Sequence, residues 1–171
     1  MSKCRRFIEW HECSLGEAWP RFSYLRGYPF HVLYALSMQT EVTVTIQAPV
    51  ETVWEAYTSP KHIEQWNFAS DDWQARDAKV DLREGGEFSS RMEAKDGSAG
   101  FDFGGTYTKI ITNELIEYSF GDRMASVSFA EGPQGVVVSV SFDLEDQNSA
   151  EMQRAGWQAI LNNFALHVST L

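Results

Sequence analysis

The stretch that most constrains this chain is Ala150–Val168, AEMQRAGWQAILNNFALHV. At about 100° per residue, Met152, Ala155, Gly156, Trp157, Ala159, Ile160, Leu161, Phe164 and Val168 spread over a wide apolar arc, leaving Glu151, Arg154, Gln158 and Asn162 on a narrow polar stripe. A helix of that kind is wrapped by its neighbours, so the rest of the chain must supply a surface that curves around it. Asn148, with Glu151 three residues on, reads as an N-cap and its capping-box partner. Gln153, Asn163 and His167 fall inside the apolar arc. Gly156 sits mid-helix, where glycine costs about 1 kcal/mol relative to alanine, and it calls for close approach of another element or for room for a ligand.

The wrapping surface is legible upstream. From Thr40, Val42, Val44 and Ile46 alternate with polar residues, as in a half-buried strand. Pro49 suits the first turn of a helix that carries Val50, Val53, Trp54 and Tyr57 inward until Ser59 and Pro60 stop it. PKHIEQW then makes a second short helix packing through Ile63 and Trp66. After the loop containing Asp71 and Asp72 the pattern turns to strands: 73–82, 87–92, 101–111, 114–120, 123–130 and 136–144. Glu84, Gly85 and Gly86 make a hairpin turn, Phe88 and Met92 share one face, and Gly104 and Gly105 predict a bulge or sharp curvature. Antiparallel strands with grouped helices read as an α+β fold, a curved seven-stranded sheet around the final helix. Such curvature leaves space between sheet and helix when the facing side chains do not fill it.

A formal net charge of -10 excludes the basic surface that a nucleic acid or an anionic membrane would require. No apolar run is long enough to span a bilayer, and the expected location is cytoplasmic. Residues 1–37 differ in kind: five Lys or Arg stand against three Asp or Glu, and both cysteines, Cys4 and Cys13, fall here without a sustained period. The remaining residues carry nine against twenty-one. This segment is expected to be a weakly ordered or non-native extension before a domain spanning 38–171, with Met38 as the natural start. His11, Glu12 and Cys13 lack a second ligand pair, so no metal site is expected.

Four pieces, IQAPVETVWEAYTSPKHIEQW, VDLREGGEFSSRM, GGTYTKIITNELIEYSF and EMQRAGWQAILNNF, together resemble the homologues of the activator of heat-shock-protein ATPase. That family lies within the START-like (SRPBCC, polyketide-cyclase-like) helix-grip superfamily. The resemblance implies one strand, two helices, six strands and a C-terminal helix, with a cavity between sheet and helix. Superfamily members include lipid carriers, hormone binders, cyclases and chaperone activators, so fold alone does not assign chemistry.

Helical angles place Met152, Gly156, Ile160, Asn163 and His167 near the middle of the cavity's helical wall. From the other elements, Ile63, Trp66, Phe88, Met92 and Phe103 are expected lining, together with Tyr107, Tyr118 and Phe120. Asp102 alternates to the opposite face from Phe101 and Phe103. There is no nucleophile elbow, no HExxH, and no cysteine within the patterned domain, so neither a catalytic centre nor a cofactor or metal is expected. The sequence therefore points to a binding protein for a hydrophobic small molecule, monomeric or homodimeric, oriented by groups such as Asn163 and Tyr107. Two other readings follow from the resemblance: a cyclase or hydratase using cavity polar residues such as His167, and a protein that stimulates a chaperone ATPase.

Overall fold

A computed structural model describes residues 39–171; the expected extension 1–37, its boundary at Met38 and both cysteines lie outside the described residues. The order is β1 (Gln39–Ile46), α1 (Val50–Thr58), α2 (Pro60–Trp66), β2 (Trp73–Val80), β3 (Glu87–Ala94), β4 (Gly100–Ile111), β5 (Leu115–Phe120), β6 (Arg123–Gly132), β7 (Gly135–Asp143) and α3 (Ala150–Val168). The strands form one antiparallel sheet in the order β1-β7-β6-β5-β4-β3-β2. The helix pair thus carries the chain from one sheet edge to the other, and the remaining strands return by successive hairpins until β7 pairs with β1.

Alternation determines which face is covered. Ile116, Tyr118 and Phe120 of β5 are buried, as are Val136, Val138, Val140 and Phe142 of β7 and Val42 and Ile46 of β1. They meet Leu161, Phe164 and Val168 of α3 and Val53 and Trp54 of α1 in one hydrophobic cluster. Trp54 packs edge-on against Phe129, and the Trp66 indole donates to the Ala56 carbonyl at 3.0 Å, locking α2 at an angle to α1. Pro49 stands at the N-cap of α1, one position before the helical turn expected to contain it.

The curvature arises at different residues from those expected. Across from β3, Gly104 and Gly105 stay in the ladder opposite Ser89 and Phe88. Register slips instead between Tyr107 and Lys109 against β5, and between Arg76 and Lys79 against β3. At the second slip Asp77 takes a left-handed φ of 51°, and the freed Ala78 amide donates to Glu64 Oε1 of α2 at 3.0 Å. The paired glycines answer to crowding. A Cβ on Gly104 would lie 2.7 Å from the Phe88 carbonyl, and one on Gly105 would strike the Ser119 carbonyl and approach the Phe88 ring to 3.0 Å.

The cap of α3 is also one residue later than expected. Ser149 accepts the Met152 amide through Oγ at 3.2 Å, while Asn148 turns back and donates through Nδ2 to Glu145 Oε1 at 2.7 Å. Gln153 closes the same loop, accepting the Glu145 amide and donating to the Glu145 and Asn148 carbonyls, each at 2.9 Å. No helix among the described residues is long and apolar enough to cross a membrane.

Candidate functional site

Between the concave face of the sheet and α3 lies a cavity of 280 Å³. Its sheet wall comes from β3, β4 and β5, whose inward positions carry rings: Phe88 meets Phe103, Tyr107 and Tyr118 at centroid separations of 5.9, 5.1 and 5.0 Å. Phe120 continues this surface toward Phe103 and Trp157. The helical wall is Trp157, Ile160 and Leu161, and the end wall is Tyr57, Ile63 and Trp66 from the helix pair.

Of the residues expected to line this space, Ile63, Trp66, Phe88 and Met92 do so, as do Phe103, Tyr107, Tyr118, Phe120 and Ile160. Four are placed elsewhere. Met152 is 63% exposed. Gly156 opens on free space, with nothing within 4 Å of an added Cβ, so neither a close neighbour nor a cavity wall explains it. Asn163 donates through Nδ2 to the Phe68 carbonyl at 2.7 Å, tying α3 to the loop after α2. His167 is engaged through Nε2 with His62 Nδ1 at 2.8 Å. The cause is a rotation: α3 turns inward the row Trp157, Leu161, Phe164, Val168, about 100° from the row through Met152, Gly156, Ile160 and Asn163. Asp102 is exposed and meets Arg91 Nη1 at 3.2 Å, on the solvent side as alternation requires.

Several lining residues escaped the sequence reading. Trp157 and Leu161 could have been found from the i, i+4, i+7, i+11 spacing of the largest apolar residues. Tyr57 was expected to face inward from α1 but not to border the cavity, and Ser90 and Arg123 carried no comparable signal. Together they change the character of the space. Tyr57, Tyr107 and Tyr118 are the only tyrosines of the described domain, and all three border the cavity. Among the described residues their hydroxyls and that of Ser90 have no hydrogen-bond partner, yet no buried side-chain oxygen or nitrogen is left unsatisfied. These hydroxyls therefore reach accessible space, and all four residues line the cavity. Burial holds all three phenols protonated: it pushes Tyr107 up to about 12, and raises Tyr57 and Tyr118 further, with repulsion from the neighbouring phenols adding to the effect on those two. At neutral pH they are donors and acceptors of hydrogen bonds, not bases.

No group of three His, Cys, Asp or Glu among the described residues is placed to hold a metal ion. The full charges on the cavity wall are Lys79 and Arg123, with no carboxylate among the lining residues.

A curved antiparallel sheet gripping a long C-terminal helix around an aromatic cavity defines a helix-grip domain. The chain belongs to the family described as Activator of Hsp90 ATPase homolog 1-like protein, whose sequence model matches residues 47–169. It is similar to the AHSA1-like protein of Aeromonas hydrophila, at 40% identity over 78% of this chain and 93% of that one, with a TM-score of 0.74. A protein of Cytophaga hutchinsonii is 42% identical over 78% of this chain and 92% of its own, with a TM-score of 0.65. A protein of Chromobacterium violaceum shares the fold at 24% identity, 75% and 95% coverage and a TM-score of 0.68. Among curated proteins none matches.

Proposed function

We propose that this domain binds a small, largely hydrophobic molecule in the space between sheet and α3, oriented by the tyrosine hydroxyls, without a reaction of its own. The observation that carries the reading is the set of unpartnered hydroxyls of Tyr57, Tyr107 and Tyr118 inside an aromatic wall. Hydroxyls that open on accessible space can take a partner there, and a ligand acceptor supplies one, while removal of its apolar surface from water drives entry at about 25 cal/mol per Å². The volume of 280 Å³ is at the lower edge of ligand sites and suits a molecule of about nine or ten heavy atoms, at ~30 Å³ for each water-sized unit. Asn163, committed to Phe68, leaves orientation to the phenols.

Displacement of a fluorescent apolar probe, together with native mass spectrometry of the purified protein, tests the reading. Binding should be lost in Ile160→Trp, which fills the space from the half-buried helical wall, with the circular dichroism spectrum retained. Equal probe binding by the filled variant would overturn the reading. Proton-transfer chemistry in the cavity has no comparable support, because no carboxylate or imidazole lines it, its phenols are held neutral and His167 is turned toward His62. The stimulation of a chaperone ATPase suggested by the family's description is checked by adding the domain to such an ATPase; on the reading proposed here the rate stays unchanged.

A further inference from the structure

Arg123 is the first residue of β6 and stands opposite Phe120 in the β5–β6 register. Its parity is that of the buried Ala125, Val127 and Phe129, so its side chain shares the concave face. The guanidinium carbon lies 4.5 Å from the Phe120 ring centroid, at one end of the aromatic wall, and Arg123 borders the cavity. Among the described residues it makes no hydrogen bond, and no carboxylate comes within 4 Å of it.

Asp122, Glu145 and Asp146 share a groove with Arg123 on the side away from the aromatic wall, and the Glu145 and Asp143 carboxylates are hydrogen-bonded to other groups. The Glu145 carboxylate, held below its ordinary pKa first by its hydrogen bonds and in smaller part by the Arg123 charge, accepts the Gln147 amide at 2.6 Å and the Asn148 amide and side chain at 2.9 and 2.7 Å. Asp143 takes the Met124 amide at 2.8 Å and the Gln39 side chain at 3.0 Å. Asp122, the preceding residue, is exposed. In a protein of net charge -10, a half-buried arginine left without an ion pair on an otherwise apolar wall, with Lys79 as the other charged lining residue, is a departure in sign as well as in placement. A guanidinium held over an aromatic ring keeps its donor fork free for a planar carboxylate.

We propose that the cavity selects an anionic ligand, a small alkyl or aryl monocarboxylate whose head group pairs with Arg123 and whose apolar body lies along Phe120 and Trp157. This inference rests on the binding reading above and adds the charge of the ligand. Octanoate and 1-octanol differ in the head group alone and serve as probes, titrated calorimetrically into the full chain. Octanoate should bind about tenfold or more tightly than octanol, as a charge-assisted hydrogen-bonded pair requires. The preference should collapse in Arg123→Gln, survive in part in Arg123→Lys, and shrink at about 0.5 M salt. Arg123→Gln gives up the ring contact with Phe120 but no hydrogen bond or close ion pair, so the melting temperature should fall only slightly. Equal binding of both probes, or a preference for octanoate that persists in Arg123→Gln, overturns the anion inference alone. Failure of both probes to bind overturns it together with the cavity reading.

Discussion

His62 Nδ1 and His167 Nε2 lie 2.8 Å apart, joining the first turn of α2 to the last turn of α3 across a sequence separation of 105 residues. Only one proton fits between the two nitrogens, so the bond exists while at least one ring is neutral. Burial, and secondarily the proximity of His62, lowers the His167 pKa below its ordinary 6.5. The folded state thus resists protonation that the unfolded chain accepts, and the contribution is fully present above pH 6.5 and lost as pH falls through the lowered folded value. Melting temperature should drop on acidification below pH 6.5, and His167→Leu should lose less over the same interval. Parallel curves for the two proteins would contradict this.

The rotation of α3 has a direct energetic signature. Phe164 is fully buried, in edge contact with Tyr57 and Trp66, whereas Met152 is 63% exposed. Phe164→Ala should cost about 3–5 kcal/mol by loss of burial and creation of a void. Met152→Ala should change stability by less than about 0.5 kcal/mol. Urea denaturation distinguishes the two, and comparable costs would mean that the helix presents the other row.

Two glycines should respond to alanine with opposite signs. Gly156→Ala adds a methyl group to free space in a helix interior and should stabilise the protein by about 0.5–1 kcal/mol through helix propensity. Gly105→Ala drives its Cβ into the Ser119 carbonyl and against Phe88, and overpacking there should cost about 1–3 kcal/mol. Thermal melts of both variants check this, and a neutral Gly105→Ala would show that β4 and β5 can separate without cost.

The cavity phenols should announce themselves at high pH. Because burial raises all three, Tyr107 to about 12, the folded protein keeps protons that the unfolded chain releases, and stability falls as pH rises above 10. Tyr118→Phe removes a hydroxyl without a protein partner; melting at pH 7 should stay within about 0.5 kcal/mol of the parent, while the alkaline loss of stability becomes shallower. An unchanged alkaline limb would show that Tyr118 ionises freely.

Much of the architecture was legible because local signals agreed. The alternation of Val42 and Ile46 with polar neighbours predicted a half-buried strand with those side chains inward, and Ser59–Pro60 marked the break between the two short helices. The sheet wall of the cavity was legible for the same reason, through Phe88, Met92, Phe103, Tyr107, Tyr118 and Phe120. Signals failed where one residue type serves two causes. Gly104 and Gly105 suggested a bulge, but tight packing against Phe88 and Ser119 accounts for them. Asn148 and Ser149 are both good caps, and the claim of Glu145 on Asn148 leaves the position to Ser149.

By itself, the sequence determined the elements, their order and the inward face of β1, β3 and β5, because a strand has two faces and alternation chooses between them. The tertiary structure alone decided the rotation of α3. Its apolar residues cover too much of the circumference for the pattern to name a centre, and packing against β1 and the helix pair selected Trp157, Leu161, Phe164 and Val168. That rotation turned Asn163 to Phe68 and His167 to His62, and left the cavity to three phenols and Arg123. Contacts between residues about a hundred positions apart have no local signature, since they exist only once the sheet has closed around the helix.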